Sequence, residues 1–430
     1  MREVQQQKHV YPRTNHNISR DNISPNALKV LYRLKNAGFL AYLVGGGVRD
    51  LLLEKSPKDF DVATDATPEE VKKLFRNCRL IGRRFRLAHV HFGNEIIEVA
   101  TFRGQHTGDQ GDEGQIVDGM IVRDNVYGSL EEDAWRRDFS VNSLYYNIND
   151  FSVEDHVGGM EDLQNRKLRI LGDASQRYRE DPVRMLRAVR FAAKLQFDIE
   201  ESTEKPIYEL GCLLEGVPPA RLFEEVLKLF LAGYSVKTLE LLRHYHLLPY
   251  IFPQTEVCLR EDATGTHLEF IKLALANTDS RVQDGKPVTP AFIFSVFLWE
   301  PVRALKAKYL ERGISDSQTL TAAADAVMAG QNRRVSIPRR FHSPMREIWH
   351  LQDRFIKRAP KRSVRLLKHP RFRAAYDFLL LRADAGDADL QLALWWTEFY
   401  NADEKARTEI INSLHVGGRK RRRRSSEHSS

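Results

Sequence analysis

Cysteine is scarce in this 430-residue chain. Cys78, Cys212 and Cys258 stand far apart, and none has a partner at zinc-site spacing. That excludes a disulfide framework and fits a reducing compartment, so a cytoplasmic protein is expected. No apolar run reaches the ~20 residues of a membrane helix. The opening stretch, MREVQQQKHVYPRTNHNISR, is polar and lacks the apolar core of a secretory signal. No internal repeat is visible, and nothing after about residue 172 has the alternation of a strand. What is present is 42% hydrophobic and 29% charged, the balance of a globular protein, with length for two to four compact units.

The net charge of +8 is unevenly spread. Residues 331–382 hold 15 Lys/Arg against 3 Asp/Glu, and RKRRRR at 419–424 adds six positive charges, leaving −10 for the rest. A basic C-terminal half suits a long polyanion, and a solvated helical face is the plainer alternative. Phe341, Trp349, Phe355, Phe372 and Tyr376 lie among the charges, which favours a nucleic acid with bases stacked on aromatics.

The N-terminal third reads as a small mixed α/β unit. NALKVLYRLKNAG has helical spacing and ends on a glycine. FLAYLVGG is a short buried strand, and GVRDLLLEK returns to helix. TPEEVKKLFRN is a helix with Thr67 as N-cap, Pro68 at its first position and acids in the first turn. HVHFGNEIIEVATFRG reads as a hairpin turning at Gly93-Asn94. Residues 105–119 are rich in Gly, Asp and Gln and read as a mobile loop. Ser129 and Glu132 have capping-box spacing.

In DFDVAT, alternation on a strand puts Asp59 and Asp61 on one face and Phe60 and Val62 on the other. Neighbouring carboxylates repel unless a cation joins them, and divalent metals bind through such pairs while sharing substrate phosphates. The pair is therefore a candidate metal platform, although a solvated edge strand would show the same pattern. Upstream, Gly45, Gly46 and Gly47 fall at a strand-to-helix junction. Backbone N–H groups there can approach an anion, and Arg49 could add a phosphate contact. Glu98 and Asp138 are both candidates for a third carboxylate. His89 and His91 alternate on a strand but have no third ligand nearby. Trp395 and Trp396 suit a helix that is half core and half surface.

LVGGGVRDLLL…KDFDVAT, RRDFSVNSLYYN and EDPVRMLRAVRFAAKL together resemble the class II tRNA nucleotidyltransferase and bacterial poly(A) polymerase family. The likeness is dense from about residue 23 to 250. LIGRRFRLAHVHF and the C-terminal helices resemble the poly(A) polymerase branch. The resemblance implies an α+β fold with a nucleotidyltransferase head built on a small mixed sheet, then an all-helical neck and body. Expected boundaries are a flexible segment at 1–22, head 23–172, neck 173–250, RNA-binding body 251–416 and a disordered basic tail 417–430.

It also implies template-independent addition of AMP from ATP to RNA 3′ ends. Asp59 and Asp61 would bind Mg²⁺ or Mn²⁺, with Asp138 or Glu98 completing the acids. Arg136, Arg137 and Asn142 would touch triphosphate or ribose. Glu180, Asp181 and Arg184, on one helical face, would read the base, and Arg187 and Arg190 would meet phosphates. Arg83, Arg84 and Arg86 are further candidates. RNA-decay machinery is an expected partner. A CCA-adding enzyme and a non-catalytic RNA-binding protein remain the alternatives.

Overall fold

The structure is a computed structural model that describes residues 8–82, 86–104, 114–117, 120–124 and 126–412. Arg83, Arg84 and the tail from 417 onward lie outside the described residues. The chain divides into two compact units, Met1–Leu214 and Glu215–Ser430. That division falls inside the neck expected at 173–250.

The first unit is built on an eight-stranded sheet. Its strands are β1 (His9–Tyr11), β2 (Ala41–Val44), β3 (Asp61–Thr64), β4 (Cys78–Ile81), β5 (Leu87–Phe92) and β6 (Glu95–Thr101). A separate hairpin of β7 (Gly114–Val117) and β8 (Met120–Asp124) follows, and β9 (Leu144–Asn147) and β10 (Val153–Asp155) return to the main sheet. The order is β1-β10-β9-β2-β3-β6-β5-β4, and β3 with β6 is the one parallel pair. Every residue of β2 is buried, as its unbroken apolar run AYLV requires of a central strand. The helix Pro25–Asn36 covers the sheet with Ala27, Val30, Leu31 and Leu34, spaced at three and four residues.

Local signals held where side chains cap the backbone. Thr67 with Glu70 and Ser129 with Glu132 both close as capping boxes. The β5–β6 hairpin turns at Gly93, whose φ is +60°. Three expectations fail. The segment expected to be flexible supplies β1, which pairs with β10 from His9 to Tyr11. Part of the expected loop at 105–119 is the strand β7. Two short strands, β11 (Lys167–Leu168) and β12 (Asp198–Ile199), pair in parallel although β12 lies past residue 172. Two-residue strands carry no alternation to read.

The second unit is helical throughout its described residues. Its longest helix, Pro290–Glu311, is apolar on nearly every side in its first half and is buried there. Phe252 stacks on Phe297 at 4.3 Å between ring centroids, with Phe230 at 4.9 Å. A second core gathers Leu351, Phe355, Phe372, Tyr376, Trp396 and Phe399. Of the five aromatics expected to stack on bases, Trp349, Phe355, Phe372 and Tyr376 are buried core residues, and Phe341 is half-buried. Helical periodicity turns them inward and leaves the intervening cations outside. Trp396 is fully buried and donates to Phe355 O at 3.0 Å, while Trp395 is half-buried on Phe399, as expected for this pair. Among the described residues no helix is long and apolar enough to cross a membrane.

Candidate active site

β2 runs through Val44 into Gly45, which adopts φ 69° and ψ −136° before the helix Gly46–Leu52. A side chain would strain that backbone. A Cβ at Gly45 would also stand 3.6 Å from Arg137 Nη1 and 3.8 Å from Asp61 Oδ2, so the turn, a guanidinium and an acid converge there. A Cβ on Gly47 would come 3.4 Å from the carbonyl oxygen of Asp59. The helix thus lies against the approach to β3, with no more than ordinary contact distance left at Gly47.

Asp61 opens β3, in register with Glu98 on the parallel neighbour β6. Asp59 sits two residues ahead of the strand and is exposed, so the expected alternation along one strand holds for Asp61 alone. Burial, then the negative charges of Glu98 and Asp59, push the Asp61 carboxyl up to about 6 against the opposing pull of Arg137 and His89. Acids crowded in this way are short of positive charge, and their oxygen donors suit a hard divalent cation. Among the described residues, no three His, Cys, Asp or Glu side chains are set to hold one metal ion together. His89 Nε2 lies 3.2 Å from Glu98 Oε2, so this histidine braces Glu98.

The expected arginines divide into struts and open groups. Arg49 is a strut, contrary to the phosphate contact expected of it. It is 2% exposed, donates to Asp50 Oδ1 at 2.8 and 2.6 Å, and also donates to Asn142 Oδ1. Asn142 is thereby held by Arg49. Arg136 donates to the carbonyl of Gly104. Arg137 is fixed by Asp133 at 3.0 Å and by the Tyr145 hydroxyl at 2.8 Å, with its Nη1 left toward Gly45. Burial opposes ionisation of Asp133, but Arg137 and the Tyr145 hydroxyl hold it below the ordinary carboxylate range. Arg86 pairs with Glu69 at 3.1 Å on the surface.

Asp138 does not join the acids around Asp61. It accepts from Arg184 Nε at 3.1 Å and stands 2.6 Å from Arg187 Nε. Burial works against its charge, yet Arg187 and Arg184 hold its carboxyl down to about 2. The expected single helical face from Glu180 to Arg184 is broken. One helix ends at Glu180, Asp181 is extended, and the next helix, Val183–Leu195, starts after Pro182. The residue before a proline is driven out of helical geometry, which accounts for the break. Glu180 still reaches Arg184 across it at 3.1 Å. Asp181 accepts from Val183 N at 3.3 Å across Pro182.

Sequence reasoning missed Arg177, Phe191 and Lys194. Arg177 donates to the carbonyl oxygens of Arg136 and Arg137 at 3.0 and 2.9 Å and so holds their turn. Lys194 pairs with Asp50 at 3.0 Å. Helical spacing from Arg184 carries a signal for Phe191 and Lys194, which recur on its face. Nothing local marks Arg177.

An acid pair on adjacent parallel strands, a glycine turn beside it and an arginine-lined helix define a nucleotidyltransferase. The fold agrees with the crystal structure of the Bacillus stearothermophilus CCA-adding enzyme in complex with CTP, at a TM-score of 0.57 and 25% identity over 90% of this chain and 82% of that one. Family models match the Poly A polymerase head domain at 41–169, the probable RNA and SrmB-binding site of polymerase A at 196–259, and the polymerase A arginine-rich C-terminus at 312–428. Poly(A) polymerase I of Salmonella typhimurium is 51% identical over 424 residues, covering 97% of this chain and 91% of that protein. A Lactobacillus helveticus CCA-adding enzyme is 40% identical over 209 residues, about half of each chain. The chain belongs to the poly(A) polymerase I family.

Proposed function

We propose that the protein extends RNA 3′ ends by transferring AMP from ATP without a template, releasing pyrophosphate. The observation that carries this reading is likeness to poly(A) polymerase I along nearly the whole chain, the basic C-terminal half included. In sequence, the Lactobacillus helveticus CCA-adding enzyme matches about half of it, although the fold is shared with a CCA-adding enzyme over 90% of the chain.

The RNA 3′-hydroxyl attacks the α-phosphate of ATP. Asp59 and Asp61 would hold the divalent cation, Mg²⁺ or Mn²⁺, and the charge crowding at Asp61 supports this assignment. Bound there, the metal supplies Lewis acidity toward the attacking hydroxyl and neutralises charge on the triphosphate. Glu98 adds negative charge beside Asp61 and is itself steadied by His89. Arg137 Nη1, fixed from behind by Asp133 and Tyr145, is placed to meet phosphate oxygens at the Gly45 turn. Arg187 and Arg190 add cations on the helix after Pro182. Asp181 lies in the break and Arg184 one turn after it, where an adenine edge would offer a donor amino group and a ring-nitrogen acceptor. Catalysis is then chiefly orientation and charge stabilisation.

The body, 251–416, grips RNA phosphates without reading sequence, as its outward cations support. The same reading places the enzyme in the cytoplasm beside the RNA-decay machinery. The test is to incubate the protein with Mg²⁺, a generic RNA and each nucleoside triphosphate singly. Long tracts with ATP alone are expected. Addition of two nucleotides from CTP alone to tRNA lacking CCA, with a single A following once ATP is also supplied, would instead identify a CCA-adding enzyme.

A further inference from the structure

The helix Val183–Leu195 brings Arg184, Arg187, Phe191 and Lys194 to one face, at steps of three, four and three residues. Arg184 and Arg187 reach Asp138, and Lys194 reaches Asp50 together with Arg49. Between them on that face lies a half-buried phenylalanine. The Phe191 ring centroid is 4.8 Å from Arg190 Cζ, 5.6 Å from Arg187 Cζ and 5.4 Å from Arg49 Cζ. Phe139 meets the ring edge-on at 5.6 Å, which fixes its plane.

Three guanidinium groups gather around one ring, and the carboxylates beside them, Asp50 on Arg49 and Asp138 on Arg187, do not account for the ring at their centre. A carboxylate at position 191 would hold them but would cancel one positive charge. An aromatic ring attracts cations through its quadrupole and carries no net charge. It can therefore orient the arginines without adding a further negative charge beside them.

We propose that Phe191 is a positioning residue for nucleotide binding, its ring setting Arg187 and Arg190, with Arg49 behind them, for the ATP triphosphate. This rests on the proposed reading that the arginine face receives the nucleotide.

The test replaces Phe191 in the full-length protein with mono-, di- and trifluorophenylalanine, which keep the ring's shape and weaken its quadrupole step by step. KM for ATP should rise with each fluorine, to about tenfold for the trifluoro ring, with kcat within about twofold and the melting temperature unchanged. A flat KM across the series overturns the proposal. Phe191→Leu should raise KM similarly and Phe191→Tyr should restore it. A Leu variant with wild-type KM also overturns the proposal. Arg187→Gln and Arg190→Gln are measured alongside. If neither raises KM for ATP, the nucleotide-face reading itself falls. If they raise it while the fluorine series stays flat, only the role of Phe191 is lost.

Discussion

Single residues in the head perform opposed tasks. Asp61 is crowded by Glu98 and Asp59 and is retained at a cost to stability. Asp61→Asn should lower kcat by roughly 10³-fold, while the melting temperature in EDTA at pH 7 stays level or rises. A loss of stability comparable to that of a core mutation would show Asp61 to be structural. Asp138 is the reverse case. Its folded carboxyl is held well below its ordinary value, so its stabilising contribution is complete above about pH 4 and fades as pH falls toward about 2. Asp138→Asn leaves Arg184 and Arg187 without their shared anion. It should cost about 3 kcal/mol, seen as a drop of roughly 6–12 °C in melting temperature. In denaturant titrations the gap from wild type should narrow between pH 5 and pH 2.5. A gap that does not change with pH would contradict the ion-pair account. The acids were legible because GGG-x-R-D and D-x-D are local patterns. The fate of Asp138 was not, since its partners lie 46 and 49 residues away in sequence.

At the scale of elements, the basic region resolves into two populations. Arg346 pairs with Asp325 and Arg373 with Asp377. Arg382 is committed to Asp387. The helix Pro360–Leu367 differs. Lys361, Arg362 and Arg365 are exposed on it and form no ion pair with any described residue. Ser363 and Leu366 turn inward. Those outward cations are the best placed to meet RNA phosphates. Reversing Lys361, Arg362 and Arg365 to Glu should weaken RNA binding and flatten the slope of log K against log salt by about 2. Arg346→Glu should leave that slope nearly unchanged. Equal effects from both would show that only overall charge matters. Composition located the basic region. It could not separate paired from unpaired cations or tell that the aromatics face inward, because a heptad places both kinds of residue side by side in the chain.

Over the whole molecule, chemistry and RNA retention are assigned to different stretches of sequence. The run at 419–424 carries six positive charges beyond the last described helix, 404–412. Deleting 417–430 should weaken RNA affinity far more than it lowers kcat at saturating RNA. Unchanged binding at both low and moderate salt would count against any role for the run. The α+β plan was readable because strands with alternating or unbroken apolar runs and capped helices announce themselves locally. The two-unit division was not, since contacts at long range decide it. β1 was also missed, because three residues pair only once β10 is in place.

One pairing in that sheet bears on how the enzyme comes to be active. β3 and β6 run parallel, so no tight turn can join them, and the chain travels through the helix Pro68–Leu74, β4 and β5 before Glu98 arrives beside Asp61. The two acids are 37 residues apart in sequence, and contacts of that separation form slowly compared with hairpins. A nascent or partly unfolded chain thus carries the residues of the site without their charge crowding. That crowding arises only when β6 joins β3 in the closed sheet.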